Sequence, residues 1–420
     1  MNPFRTPPAR MRRLRPSSGS RFSAPAAEAK RPRGCSVLFF AGSLLLALPL
    51  AGCRPRNFPT YPANYREYAY VTNGGSGTVT VIDVVNVRVD RELAVGQNPV
   101  ALAASPTRNE VYVVNSGGPG GNGSLSVLDA EQNRVAATVP LHRQPVSIDL
   151  DREGDFAYIA NAGSNSVSIV DLKARREVAR IGTGEQPVAA VLAPDGKTLV
   201  VANRGGNSVT LIDPASRSVR AVFTGCPGAM DPVVMPDSSK AFIACSGGHQ
   251  VMVIGLAQTA NAANGQPAEP DRLETLMDVG HGPVDLALKP DSGEMFVSNS
   301  LSDSVSEVIT NTADVGGATM MGDEPVAGLV SRDNALLYVA NLRSQYVTVY
   351  SIEDGRRVGA IHVGDGPSAM AFSANSYLLF VVDRHSGDVA VVRTPTRSLF
   401  TILPAGRDPN AIVDKAFKVH

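Results

Sequence analysis

The 420-residue sequence contains no tryptophan, four cysteines, 5% aromatic residues and no net formal charge. Four cysteines in a chain this long exclude a disulfide-rich scaffold, and their spacing offers neither a CxxC zinc pair nor a CxxCH haem attachment. There is no Gly-x-Ser-x-Gly elbow, no Gly-rich phosphate loop with its Lys-Ser/Thr, and no HExxH. The stretch 117–123 (GGPGGNG) is turn chemistry, because no helix-forming segment follows it to bind phosphate. What the chain does have is 43% hydrophobic residues, enough for a packed body, together with 39 Gly and 30 Pro.

The first fifty-odd residues read as an export leader. Residues 1–34 carry Arg5, Arg10, Arg12, Arg13, Arg15, Arg21, Lys30, Arg31 and Arg33 against Glu28 alone. An uncharged run from Ser36 to Leu50 (SVLFFAGSLLLALPL) follows, too short for the ~20 residues of a membrane-spanning helix and suited to a signal-peptide core. It ends in Leu50-Ala51-Gly52-Cys53, which resembles a bacterial lipobox. The expectation is a leader over 1–52, lipid attachment at Cys53, a Pro-bearing tether over 53–67 and a folded body over 68–420. The alternatives are an ordinary signal peptide or an uncleaved anchor, and translation starts at Met1 or Met11. A lipidated chain would be exported to an oxidising compartment, on the periplasmic side or at the cell surface. The leader holds nine basic residues and one acid, leaving 30 Lys+Arg against 38 Asp+Glu in the remainder. A body of net charge −8 disfavours nucleic acid and anionic lipid as partners.

The body is one unit repeated. Tyr70-Val71-Thr72-Asn73, Tyr112-Val113-Val114-Asn115, Tyr158-Ile159-Ala160-Asn161 and Val200-Val201-Ala202-Asn203 share a pattern. Phe242-Ile243-Ala244-Cys245, Phe296-Val297-Ser298-Asn299, Tyr338-Val339-Ala340-Asn341 and Phe380-Val381-Val382-Asp383 continue it. Five of the seven intervals between their last residues are 42 residues long. That period, filled with short β-branched runs bounded by Gly, Pro, Asn and Asp, marks the four-stranded blade of a β-propeller and argues against a helical solenoid. A proline sixteen residues before the signature's end (Pro99, Pro145, Pro187, Pro283, Pro325, Pro367) opens each first strand, where a missing N–H costs least. The first repeat lacks that strand, and a matching segment, Gly406 to Val413, stands at the far end. The fold class expected is therefore all-β: a single propeller of eight blades (seven as the alternative), its ring closed by the C-terminal strand.

The pattern Gly-x-x-Pro…Pro-Asp-Gly-Lys…Tyr-Val-x-Asn…Val-x-Val-Ile-Asp, best preserved over 142–224, resembles the YVTN family of β-propeller repeat proteins and its YncE-like bacterial members. The resemblance spans about 68–417 and is specific for fold more than for function. The absence of tryptophan excludes the WD repeat and the Trp-bearing pyrroloquinoline-quinone propellers. Related propellers include sugar-lactone hydrolases, d1-type haem proteins and dehydrogenase subunits, so the resemblance implies an enzyme or cofactor-binding alternative.

In a propeller, the links from fourth to first strands and from second to third strands share one rim around the axial funnel, the default binding place on this fold. That rim collects Arg143, Glu185, Arg204, His249, His281, Asp323, Glu324, Arg343, Asp365, Arg384, His385, Arg407 and Asp408. They are either ordinary polar loop residues or a mixed-charge funnel for a polar ligand, peptide or protein. The expectation is a binding or assembly platform without catalysis of its own. No cofactor is expected, although a divalent cation could sit between Asp231 and Asp285, which stand where other blades have small residues. Those carboxylates could equally bond backbone N–H groups or water. His142 and His362 read as loop or strand-end residues rather than ligands.

The fifth blade departs from the repeat. Cys226 replaces the Gly of Gly-x-x-Pro, Ala229 the Pro, Cys245 the Asn and Gly255 the Asp. In an oxidising compartment Cys226 and Cys245 are expected to pair, the alternative being two reduced buried thiols. The extra length from Leu256 to Pro270 falls on the opposite rim as a loop or partner-docking element.

Overall fold

The computed structural model describes residues 58–258 and 268–419. Cys53, the leader and most of the Leu256–Pro270 insertion lie outside them. The described chain forms eight four-stranded antiparallel sheets. Their innermost strands contact one another in sequence, and the last of them, Pro409–Lys418, touches both its predecessor Pro367–Phe372 and the first, Pro99–Ala104. The ring is an eight-bladed β-propeller.

Closure follows the sequence pattern. Blade 1 takes three strands from the start of the ring (Tyr65–Asn73, Thr78–Asp83, Arg88–Ala94) and its innermost strand, Pro409–Lys418, from the end. The two segments pair from Tyr65↔Lys418 to Asn73↔Pro409. The body therefore begins at Tyr65, three residues before the expected boundary. Glu67 shows why: its side chain is buried, and it accepts the Ala374 N–H of blade 8 at 2.7 Å, so this stretch is core rather than tether.

The signature strands are continuously apolar because both of their faces are covered. In blade 2, Val111 and Val113 pack with Tyr70, Val79 and Val81 of blade 1, while Tyr112 and Val114 pack with Ala157 and Ile159 of blade 3. The same sharing joins blades 3 to 4, 4 to 5, 5 to 6, 6 to 7 and 7 to 8. The core is thus a set of layers between blades, each costing about 1.5–3 kcal/mol per large side chain if exposed. Outer strands alternate instead, as in Ser218–Thr224, where half-buried Ala221 and Phe223 flank exposed Val222.

The repeat's Gly and Asn are one device. A Cβ on Gly184 would lie 2.7 Å from Asn203, and one on Gly280 would lie 2.6 Å from Asn299, so the asparagine side chain fills the space that only glycine leaves. The asparagine amide then donates to hydroxyls five and seven residues on, as Asn203 does to Ser208 (3.2 Å) and Thr210 (2.8 Å). In blade 5 the structure joins Cys226 to Cys245 in a disulfide, Cα–Cα 4.8 Å, and both residues are fully buried. The covalent bond stands in place of the Gly–Asn contact. Replacing both cysteines with alanine removes a cross-link 19 residues apart in sequence, which by chain entropy should cost about 3 kcal/mol. Chemical-denaturant melts of the two forms measure this; equal midpoints would show that the staple contributes nothing.

Candidate functional site

Each blade builds the same backbone at the rim. The residue before the innermost strand takes a left-handed conformation: Asn98, Gln144, Gln186, Gly228, Gly282, Glu324, Gly366 and Asp408. Its carbonyl accepts the N–H of the residue that follows the signature, as in Ser116 to Asn98 (2.8 Å), Arg204 to Gln186 (3.0 Å) and Gly74 to Asp408 (2.9 Å). A left-handed non-glycine costs about 1 kcal/mol, comparable to the hydrogen bond it permits. These bonds fasten the two loop types to each other, so side chains beyond them project from a fixed frame.

On that frame the structure pairs some expected residues and separates others. Arg384 Nε meets Asp408 Oδ1 at 2.6 Å across the seam between blades 8 and 1. His385 Nδ1 lies 3.9 Å from Asp365 Oδ2, and Arg343 pairs with Glu324. The rings of His249 and His281 stand edge to face with centroids 5.6 Å apart, and His249 Nε2 is 3.6 Å from Asp278 Oδ1. Arg143, Glu185, Arg204 and Asp323 are exposed and make no ion pair among the described residues. At the seam, Ser76, Glu92, Arg384, His385, Ser386, Arg407 and Asp408 line an open hollow of about 470 Å³. Its floor is backbone: Arg407 N–H donates to Ser76 Oγ at 2.8 Å, and Gly75 N–H to the Arg407 carbonyl at 3.0 Å. The Arg407 side chain is exposed and makes no ion pair among the described residues, which leaves a free cation beside the Arg384–Asp408 pair.

Asp231 and Asp285 bond backbone rather than converge on a third ligand. Asp231 Oδ2 accepts Leu286 N–H at 2.6 Å, and Asp285 Oδ2 accepts Gly328 N–H at 2.7 Å. Burial pushes both carboxyl groups up, Asp231 to about 6, and the neighbouring Asp231 charge adds to the rise at Asp285. Asp149 does the same, its Oδ2 accepting Leu192 N–H at 2.7 Å. An innermost strand has one edge with no partner strand, and these aspartates cap the free N–H groups of the next blade's edge. Asp149, not among the residues the sequence pattern singles out, sits two positions further along the same strand face than Asp285 does, and period-2 alternation is the signal that marks it. Among the described residues, no group of three His, Cys, Asp or Glu is spaced to hold a metal ion. His142 bonds Glu177 at 3.1 Å, and His362 ends an outer strand.

The seam holds further buried charge. Asp414 on the closing strand shares a strand face with Glu67, and Asp414 Oδ1 is buried without a hydrogen-bond partner among the described residues. Burial, then the Glu67 charge, raises Asp414 to about 9. Lys415 faces the other way and donates to the Ser105 carbonyl of blade 2 at 2.6 Å. Burial lowers its pKa.

Comparison with known proteins bears on the family. The model of the YNCE-like beta-propeller matches residues 153–249, and that of the lactonase, 7-bladed beta-propeller, matches residues 68–186. No curated protein matches the chain. Among solved structures, the dihydro-heme d1 dehydrogenase NirN, in complex with DHE, is similar at TM-score 0.63 and 15% identity, covering 88% of this chain and 78% of that one. AztD from Citrobacter koseri gives TM-score 0.61 at 14% identity, covering 85% and 100%. A putative 6-phosphogluconolactonase from Bacteroides uniformis gives TM-score 0.57 at 15% identity, covering 83% and 99%. At such identities these structures share the fold. The repeat and the ring make this chain an eight-bladed β-propeller, similar over part of its length to the YNCE-like propellers and over another part to the lactonase propellers.

Proposed function

We propose that this protein is an exported, lipid-anchored propeller that serves as a binding or assembly platform, taking a small polar ligand or a peptide at its rim. The observation that carries the reading is the seam hollow: charged side chains of opposite sign stand on a hydrogen-bonded backbone that exists before any ligand arrives. Preorganisation of this kind lowers the ordering cost of binding. The leader pattern ending at Cys53 supports the anchor. A thermal-shift screen with polar ligands (carboxylates, phosphate esters, short peptides) tests the site. A ligand that raises the midpoint of the natural protein, and fails to do so for Arg407→Glu and His385→Ala, supports the hollow; equal shifts in all three proteins contradict it.

A second reading, a cofactor-binding or catalytic propeller, is favoured by the likeness to NirN and to the lactonase-like structures. Its check is an absorption spectrum and metal analysis of the purified protein, with an assay of lactone hydrolysis. A bound chromophore or turnover would move the reading to that class.

A further inference from the structure

We infer that the charged rim points away from the membrane and that the opposite face of the ring stands toward the lipid; this rests on the reading that Cys53 carries the anchor. The direction of one strand decides it. Tyr65–Asn73 starts beside Lys418 and runs toward the rim, where Asn73 meets Pro409. Both ends of the ring therefore leave from the face that carries the first-to-second and third-to-fourth strand links. The segment just before the ring is fixed to that face. The Tyr61 ring stacks on Tyr65 with centroids 5.1 Å apart and planes 11° apart. Its hydroxyl accepts a hydrogen bond from Asn375 Nδ2 of blade 8 at 3.2 Å, and Tyr65 N–H donates to the Pro62 carbonyl at 3.0 Å.

Little chain remains to undo this placement. Six residue steps separate Cys53 from Pro59, a reach of at most about 20 Å when fully extended. A six-residue strand is itself about 20 Å long, so a tether leaving the far face would be used up in climbing the height of one blade. The rim cannot be brought against the bilayer that holds Cys53. Ligands or partners reach the seam hollow from the aqueous side, and the lipid surface meets the links around Lys173 and Lys197.

The test uses the lipidated protein in phosphatidylcholine–phosphatidylglycerol vesicles. Cys226 and Cys245 are joined, and an acylated Cys53 is blocked, so one introduced cysteine is the sole free thiol of the mature chain. Arg343→Cys and Arg204→Cys place a dye on the rim; Lys173→Cys and Lys197→Cys place it on the opposite face. All four positions are exposed. Spin-labelled lipid should quench the opposite-face dyes at least twofold more than the rim dyes. Equal quenching, or stronger quenching at the rim, overturns the orientation while leaving the anchor intact. Intact mass and vesicle flotation are read first: a mature chain without acyl groups that stays in solution overturns the anchor, and the orientation falls with it.

Discussion

A chain ending at Pro404 should lose most of its stability. The strand it lacks pairs with Tyr65–Asn73 along nine positions and brings buried Phe417 and half-buried Val413 into the layer between blades 1 and 2. Large apolar side chains contribute about 1.5–3 kcal/mol each and hydrogen bonds about 1 kcal/mol each, so the loss exceeds about 5 kcal/mol. That is a large part of the 5–15 kcal/mol that holds a typical domain. For a ring of this size it corresponds to a fall in Tm of about 7 °C or more. The bared edge of Tyr65–Asn73 would also template association, so gel filtration should show oligomers. Adding a synthetic peptide of residues 405–420 should restore the melting point. A truncated protein melting within about 2 °C of the intact one would show that the ring does not depend on this strand.

The second large effect is on pH. Asp414 is raised to about 9, mainly by burial and then by Glu67, and Asp383 to about 8, mainly by burial and also by Asp388. Asp231 is raised to about 6 by burial. Unfolded, all three return to about 4. A folded pKa above the unfolded value means that the native state holds more protons between the two, so stability falls as pH rises through that window. The contribution is fully present below pH about 4 and is lost progressively towards pH about 9. Asp155, Asp213, Asp291 and Asp333 are held below their ordinary values and act in the opposite direction, but they lie at or near the surface, where solvent screens them, and weigh little. The melting point should therefore be highest at about pH 4, where that contribution is complete, and stability should fall by several kcal/mol towards pH about 9. Asp414→Asn should flatten the upper part of the profile, since a neutral amide donates to Glu67 at any pH. Asp383→Asn restores the amide that other blades carry and should do the same near pH 8, because an amide donates to Asp388 at any pH. A profile that rises from pH 5 to 9 would contradict the buried, protonated carboxyls.

Much of this was legible in the sequence because a propeller writes its geometry eight times. The signature Asn, the Pro sixteen residues earlier and the displaced final copy at Gly406–Val413 locate the blades and their closure without reference to any single contact. The Cys226 and Cys245 substitutions stood at the two repeat positions that the structure shows in contact, Gly and Asn, which is why their pairing could be anticipated. What the repeat does not encode was harder to see. Glu67 looked like tether because the blade 8 amide it caps lies about three hundred residues away in sequence. Asp149, Asp414 and Lys415 are single departures on strand faces, and their meaning depends on the neighbouring blade. The rim residues were placed on the right face by strand order alone. Which of them meet, Arg384 with Asp408 but Arg204 with no partner charge among the described residues, depends on loop geometry that no period fixes.

Hydrogen exchange on the intact protein reads both features at once, since the sealed ring and its preformed rim are one structure. Amides of Pro409–Lys418 should exchange as slowly as those of the innermost strands of other blades, and Gly74, Ser116 and Arg204 at the rim should be protected without ligand. A closing strand that exchanges like a frayed terminus, or rim amides that exchange at the rate of open loops, would contradict that structure.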